Sequence, residues 1–106
     1  MPIELNRDNF SEEVIESEKL VVIDFWGPRC VPCLALNPQV ENLEKLYGDR
    51  AKIAKVDSSK NRKLCLELKV LGLPTFLFYK NGTEVGRLTG EKLKIQEIEE
   101  VVKKNL

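Results

Sequence analysis

The chain has 106 residues, 42% hydrophobic and 32% charged, with 17 basic side chains balancing 17 acidic ones. A zero net charge argues against a general affinity for nucleic acid or an acidic membrane surface, both of which call for a basic excess. Histidine is absent, which excludes Ser-His-Asp triads, Cys-His proteases and histidine zinc sites together.

The length suits one domain over residues 1–106, able to bury roughly 65% of its extended-chain surface without disulfide staples. Three cysteines, an odd count, make a poor structural framework. In a reducing cytosol a close cysteine pair is more often catalytic or metal-binding. The first residues carry no apolar signal core and no run reaches the length of a membrane span, so the expectation is a cytoplasmic protein without a membrane partner.

In chain order, a short extended piece near Ile3–Leu5 leads to a helix over Ser11–Ser17, with Asn9 and Glu12 as a capping box and Phe10 and Val14 facing inward. Leu20–Trp26 is β-branched and aromatic, the signature of a buried strand. From Cys33 to Tyr47, Leu36, Val40, Leu43 and Tyr47 recur at helical spacing, with Pro38 inside as a kink and Gly48 as C-cap. A strand over Ala51–Val56 and a short helix over Arg62–Leu68 follow. Two strands, Thr75–Lys80 and Thr83–Thr89, flank Asn81-Gly82, a strong hairpin signal. Ile95, Ile98, Val101 and Val102 give the last helix an apolar stripe; Glu97, Glu99, Glu100, Lys103 and Lys104 make its solvated face. The order βαβαβαββα predicts an α/β fold, a central mixed sheet of about five strands flanked by four helices.

The chemistry concentrates in Asp24-Phe25-Trp26-Gly27-Pro28-Arg29-Cys30-Val31-Pro32-Cys33. A Cys-x-x-Cys pair that ends a buried strand and opens a helix sets Cys30 at the carboxyl end of the sheet, beside a helix amino terminus whose partial positive charge favours a thiolate. A thiol of pKa ~8.5 is ~3% ionised at pH 7, whereas a pKa of ~7 gives ~50%. Cys33, one turn further in, is spaced to resolve a mixed disulfide formed at Cys30. The alternative, half of a zinc or iron–sulfur site, needs two more ligands, and the chain offers only Cys65. A third option is a binding module in which the cysteines are incidental. Asp24, a carboxylate inside an apolar strand, is expected to have a raised pKa through burial and to exchange a proton near neutral pH. Cys65, between two leucines, is read as a buried small hydrophobe.

These residues together resemble the thioredoxin family. The strand-end Asp24-Phe25-Trp26, the pair Cys30 and Cys33, the helical Pro38, the turn Gly72-Leu73-Pro74-Thr75, the Asn81-Gly82 hairpin and Gly90 all match its motifs, with compatible spacing over essentially the whole chain. A glutaredoxin matches less well, because this chain has the extra amino-terminal strand and helix. The resemblance implies the thioredoxin fold and reduction of protein disulfides by dithiol–disulfide exchange, with Cys30 attacking and Cys33 resolving. It gives Asp24 the role of base toward Cys33 and Lys55 that of its helper. It implies a cis Leu73–Pro74 bond lying against Cys30, the Leu73 backbone pairing with an extended substrate, Trp26 lending a face to the site, and Gly90 leaving room at its rim. It implies no bound cofactor beyond a reversible Cys30–Cys33 disulfide, no metal, a monomer, a thioredoxin reductase-type electron donor, and disulfide-containing clients.

The match departs from the family at the centre. The usual Trp-Cys-Gly-Pro-Cys-Lys is here Arg29-Cys30-Val31-Pro32-Cys33-Leu34. Arg29 replaces an apolar contact surface with a cation that is expected to favour the thiolate and attract acidic partners. Val31 changes the loop between the cysteines, and with it the balance of dithiol and disulfide, while Pro32 is kept and suits a helix start. Leu34 makes the groove edge more apolar.

Overall fold

The computed structural model describes residues 2–106. Five strands, β1 (Ile3–Glu4), β2 (Leu20–Trp26), β3 (Ala51–Asp57), β4 (Thr75–Lys80) and β5 (Thr83–Thr89), form one mixed sheet in the order β1-β3-β2-β4-β5. β1 and β2 both run parallel to β3; β4 is antiparallel to β2, and β5 to β4. Three α-helices, α1 (Val31–Tyr47), α2 (Arg62–Glu67) and α3 (Ile95–Asn105), and a π-helical segment at Ser11–Ile15 cover the sheet. This is the α/β sandwich that the alternation of strand and helix patterns predicts.

The central strand β2 is buried on both faces, so its side chains divide by parity. Val21, Ile23 and Phe25 join Val14, Leu64 and Cys65 in one core, while Leu20 and Val22 join Leu36, Val40 and Ile98 in the other. In β3, Ala54 and Val56 belong to the first core, Ala51 and Ile53 to the second. Period-two alternation therefore carries Asp24 and Lys55 onto the α1 side of the sheet. They are also register partners across the β2–β3 ladder. Two charged positions meet on one face because the strands pair without offset.

The turns explain the strand order. Asn81 and Gly82 both take positive φ, 52° and 78°, the pair of left-handed residues that a tight two-residue hairpin requires. Lys69, with φ 59°, ends α2, and the Arg87 guanidinium closes that helix by donating to the Leu68 and Lys69 carbonyls at 2.8 and 3.0 Å. Satisfying the last carbonyls with a cation also suits the helix dipole. Cys65 is 8% exposed within the first core, as its leucine neighbours predict.

Three local expectations need correction. The Asn9–Glu12 capping box does not form; Asn6 Oδ1 instead accepts the Asp8 and Asn9 amides at 2.8 and 3.0 Å, while Asn9 bonds back to Asn6 and Glu4. The following segment is π-helical rather than α-helical and spans Ser11–Ile15. The acid-rich face of α3 is not wholly solvated. Glu99 is half-buried and accepts a 2.6 Å hydrogen bond from the Tyr47 hydroxyl, whereas Glu97, which accepts from the Lys94 amide, stays exposed as expected.

Candidate active site

The strand β2 ends at Trp26, and a short loop delivers Cys30 to the first turn of α1. Cys30 is the N-cap residue, in an extended conformation, and its Sγ accepts the Cys33 amide at 3.3 Å. Pro32 occupies the first turn, where its missing N–H costs nothing. Cys30 and Cys33 are joined by a disulfide, with Cα atoms 5.2 Å apart. Cys30 is partly exposed, whereas Cys33 is 2% exposed beneath it. One sulfur can meet another protein and its neighbour cannot.

Opposite Cys30 lies the turn before β4. The Leu73–Pro74 peptide bond is cis, as the resemblance implies. Pro74 is buried, and its carbonyl accepts the Gly90 amide at 3.1 Å. The Thr75 hydroxyl closes the turn onto the Gly72 carbonyl at 2.6 Å and lies 2.8 Å from the Thr89 hydroxyl. Leu73 itself makes no hydrogen bond through its amide or carbonyl among the described residues. An unpaired donor and acceptor on partly exposed backbone form a template for an added strand. Leu73 and the cysteine loop touch: a Cβ at Gly27 would stand 3.2 Å from Leu73 Cδ1. A groove of about 740 Å³ runs between them, lined by Arg29, Cys30, Leu73, Ser58, Ser59 and Arg62. Val31, at 74% exposed, and Leu34, at 42%, are surface apolar groups at the start of α1.

Behind the cysteines, Asp24 is 2% exposed, and its Oδ2 is sealed from solvent without a hydrogen-bond partner. Burial pushes the carboxyl up from 3.8 to about 7, with the Lys55 charge pulling part of that rise back. Lys55 Nζ sits 5.0 Å from the centroid of the Trp26 ring and donates a 2.6 Å hydrogen bond to Asn37 Oδ1 on α1. Trp26 thus packs over the cation, and its rim faces a polar cleft shared with Lys55 and Asp57. Gly90, with φ 126°, has open space where a Cβ would project.

The residues singled out from sequence therefore fall into two sets. Arg29, Cys30 and Leu73 line one groove, Val31 and Pro32 follow Cys30 in the first turn of α1, and Pro74 is bonded to Gly90. Asp24, buried, and Lys55 and Trp26, half-buried, form a second set on the α1 side of the sheet. Two participants carry no distinguishing mark in the sequence. Asn37 reads as an ordinary polar helix residue between Leu36 and Pro38, and Arg62 as a solvated cation at the start of α2. Only the tertiary fold brings them to Lys55 and to the groove. Among the described residues, no three His, Cys, Asp or Glu side chains converge in a way that could hold a metal ion.

A family model described as thioredoxin matches residues 1–104. The chain is 42% identical over 101 residues to the thioredoxin of Acetoanaerobium sticklandii, covering 95% of this chain and 96% of that one. The chain belongs to the thioredoxin family. It is also 38% identical to Bacillus subtilis thioredoxin over 98 residues, with 92% of this chain and 91% of that one covered. The crystal structure of Malassezia sympodialis thioredoxin superposes with a TM-score of 0.88 at 27% identity, spanning 99% of this chain and 90% of that one. Membership and the bonded Cys30–Cys33 pair make the protein a thiol–disulfide oxidoreductase, an enzyme of protein disulfides. As a thioredoxin it belongs with a reductase-type electron donor and disulfide-bearing clients in general. No helix among the described residues is long and apolar enough to cross a membrane.

Proposed function

We propose that this thioredoxin works as a cytoplasmic reductase of protein disulfides, cycling through the following steps. The Cys30 thiolate attacks one sulfur of a client disulfide. A bond forms between Cys30 and that sulfur, the client S–S bond breaks, and the second client sulfur leaves as a thiolate. Asp24 takes the proton from the Cys33 thiol, and the Cys33 thiolate attacks Cys30 Sγ. The Cys30–Cys33 disulfide forms and the first client sulfur departs. The client gains two electrons and the protein loses two, which a separate thioredoxin reductase-type enzyme restores through the same exchange chemistry.

The observation that carries this assignment is the asymmetry of the pair, a partly exposed sulfur at a helix N-cap above a buried one. The helix terminus and the Cys33 amide favour negative charge on Cys30. Asp24, held near neutral pH by burial, is matched to a proton transfer at pH 7. Lys55 tempers its charge, and Trp26 covers the lysine. Leu73 would receive the client backbone, with Val31, Pro32, Arg29, Pro74 and Gly90 shaping the groove around it. The catalytic protein is expected to act as a monomer, with no bound metal or organic cofactor.

Reduction of a generic disulfide protein such as insulin, driven by dithiothreitol, tests the proposal. Catalysis is expected from the wild type, with loss of at least about two orders of magnitude in Cys30→Ser. Equal rates for the two proteins would overturn it.

A further inference from the structure

The chain has five arginines, and three of them are engaged with acids. Arg7 pairs with Glu67 at 3.0 Å, Arg50 lies 3.9 Å from Asp49 and over the Tyr47 ring, and Arg87 pairs with Glu84 at 2.9 Å. Arg29 and Arg62 are exposed and have neither an ion pair nor a hydrogen bond among the described residues. These two unpaired arginines line the same groove as Cys30, and among the described residues they are its only charged wall residues. Asp57, the acid that precedes the groove residue Ser58 in the chain, spends its Oδ1 on the Ser59 amide and hydroxyl at 3.0 and 2.7 Å. Lys60 and Lys63 share with Arg62 a neighbouring cleft that Arg7 and Asp8 also line, so basic groups outnumber the one acid along the start of α2.

The same groove already holds the requirements for an extended guest: a reactive sulfur and the unpaired backbone of Leu73. Beyond Ser58 it continues into a second recess of about 400 Å³ along Cys65, Leu66 and Leu71. Leu66 and Leu71 there are 68% and 86% exposed. A neutral apolar guest would leave two guanidinium groups unpaired at a wall it partly covers. A carboxylate would supply the planar partner that the guanidinium fork matches. The cost of covering an unpaired cation thus favours one charge type over the others.

Building on the reductase function proposed above, we infer that Arg29 and Arg62 form a two-sided cationic clamp that selects client segments carrying Asp or Glu beside their disulfide cysteine. The clamp acts on encounter and on the mixed-disulfide complex, so it sets which clients react rather than how sulfur exchange proceeds. Both arginines are solvent-accessible, which keeps the effect moderate and salt-sensitive: each exposed pair shifts a rate or equilibrium by about 1.5- to 5-fold.

The test uses two disulfide-linked peptides that are identical except that glutamates flanking the cysteine in one are glutamines in the other. Second-order rate constants with the reduced full-length protein are divided by those with dithiothreitol, which removes the intrinsic difference in peptide reactivity. The expected glutamate-to-glutamine ratio is about three to ten at low ionic strength, falling toward one in about 0.5 M NaCl. The Arg29→Gln, Arg62→Gln double variant is expected to bring the low-salt ratio to about one. The Arg29→Lys, Arg62→Lys variant, which keeps both charges, is expected to retain most of it. A wild-type ratio near one, or a ratio that survives removal of both charges, would overturn the clamp. If the wild type reduces neither peptide, the reductase proposal itself fails; equal reduction of both overturns the clamp alone.

Discussion

The Lys55 ammonium donates a 2.6 Å hydrogen bond to Asn37 Oδ1 and makes no ion pair with Asp24, its register partner across the β2–β3 ladder. The charge is close enough to pull the Asp24 carboxyl down from where burial alone would leave it, yet Asp24 Oδ2 keeps no hydrogen bond. Asn37 therefore works as a positioning residue. It anchors the lysine on the α1 side of the sheet, while burial keeps the acid protonatable near neutral pH.

Removing the cation and removing its anchor are expected to move Asp24 in opposite directions. Lys55→Met deletes the charge that lowers the acid, so its titration midpoint should rise above about 7. Asn37→Ala frees the ammonium beside an acid oxygen without a partner, so the midpoint should fall. Carboxyl-carbon NMR across a pH series reads both shifts directly. A midpoint unmoved in both variants would show that Lys55 and Asn37 serve packing alone.

Asp24 should also make stability depend on pH. Its native-state pKa is raised to about 7 from 3.8, so between those values the native protein holds a proton that the unfolded chain has lost. Stability from this group is complete below about pH 4, declines as pH rises toward about 7, and stays reduced above it. Asp24→Asn lacks this titration. Apart from a constant offset from the buried amide, its stability relative to wild type should climb across that window by up to about 4 kcal/mol. Urea unfolding at a series of pH values measures the difference; a flat difference would contradict the burial of an ionisable Asp24.

Much of this arrangement is legible in the sequence. The boundaries of β2, β4 and β5 follow from β-branched runs and the Asn81-Gly82 turn, and the cysteine pair from its place between strand and helix. The parity of β2 and β3 already puts Asp24 and Lys55 on matched faces. Less accessible are features that depend on long-range contact. Asn6 is a local exception: its Oδ1 takes the amides two and three residues on, a turn contact that the Asn9–Glu12 pattern placed at the wrong asparagine. Glu99 meets Tyr47 only once α1 and α3 pack together. Asn37 and Arg62 carry no local signal at all, since their roles come from partners 18 residues away in one case and from the shape of a groove in the other.

Thiol counting separates the three cysteines by environment. The oxidised native protein should show no rapidly reacting thiol, because Cys30 and Cys33 are bonded and Cys65 is 8% exposed in the core. Unfolding without reductant should release one thiol, and reduction followed by unfolding should release three. Three thiols released by unfolding alone would mean that the pair does not stay closed.

Gly90 distinguishes backbone need from substrate space. Its φ of 126° is disfavoured for any side-chain-bearing residue, while nothing stands within 4 Å of the point where a Cβ would lie. Gly90→Ala should therefore lose about 1–3 kcal/mol of stability through the backbone alone. Unchanged denaturant stability with a raised KM for protein clients would instead assign Gly90 to the rim of the groove.

The division of labour between the two cysteines is tested most directly by intact-mass measurement of reduced Cys33→Ser and Cys30→Ser proteins mixed with a disulfide-bonded client. Cys33→Ser should accumulate a one-to-one mixed disulfide through Cys30, because attack is intact and resolution is lost, and Cys30→Ser should form almost none. A stable adduct through Cys33 in Cys30→Ser, or none in Cys33→Ser, would contradict attack by Cys30 and resolution by Cys33.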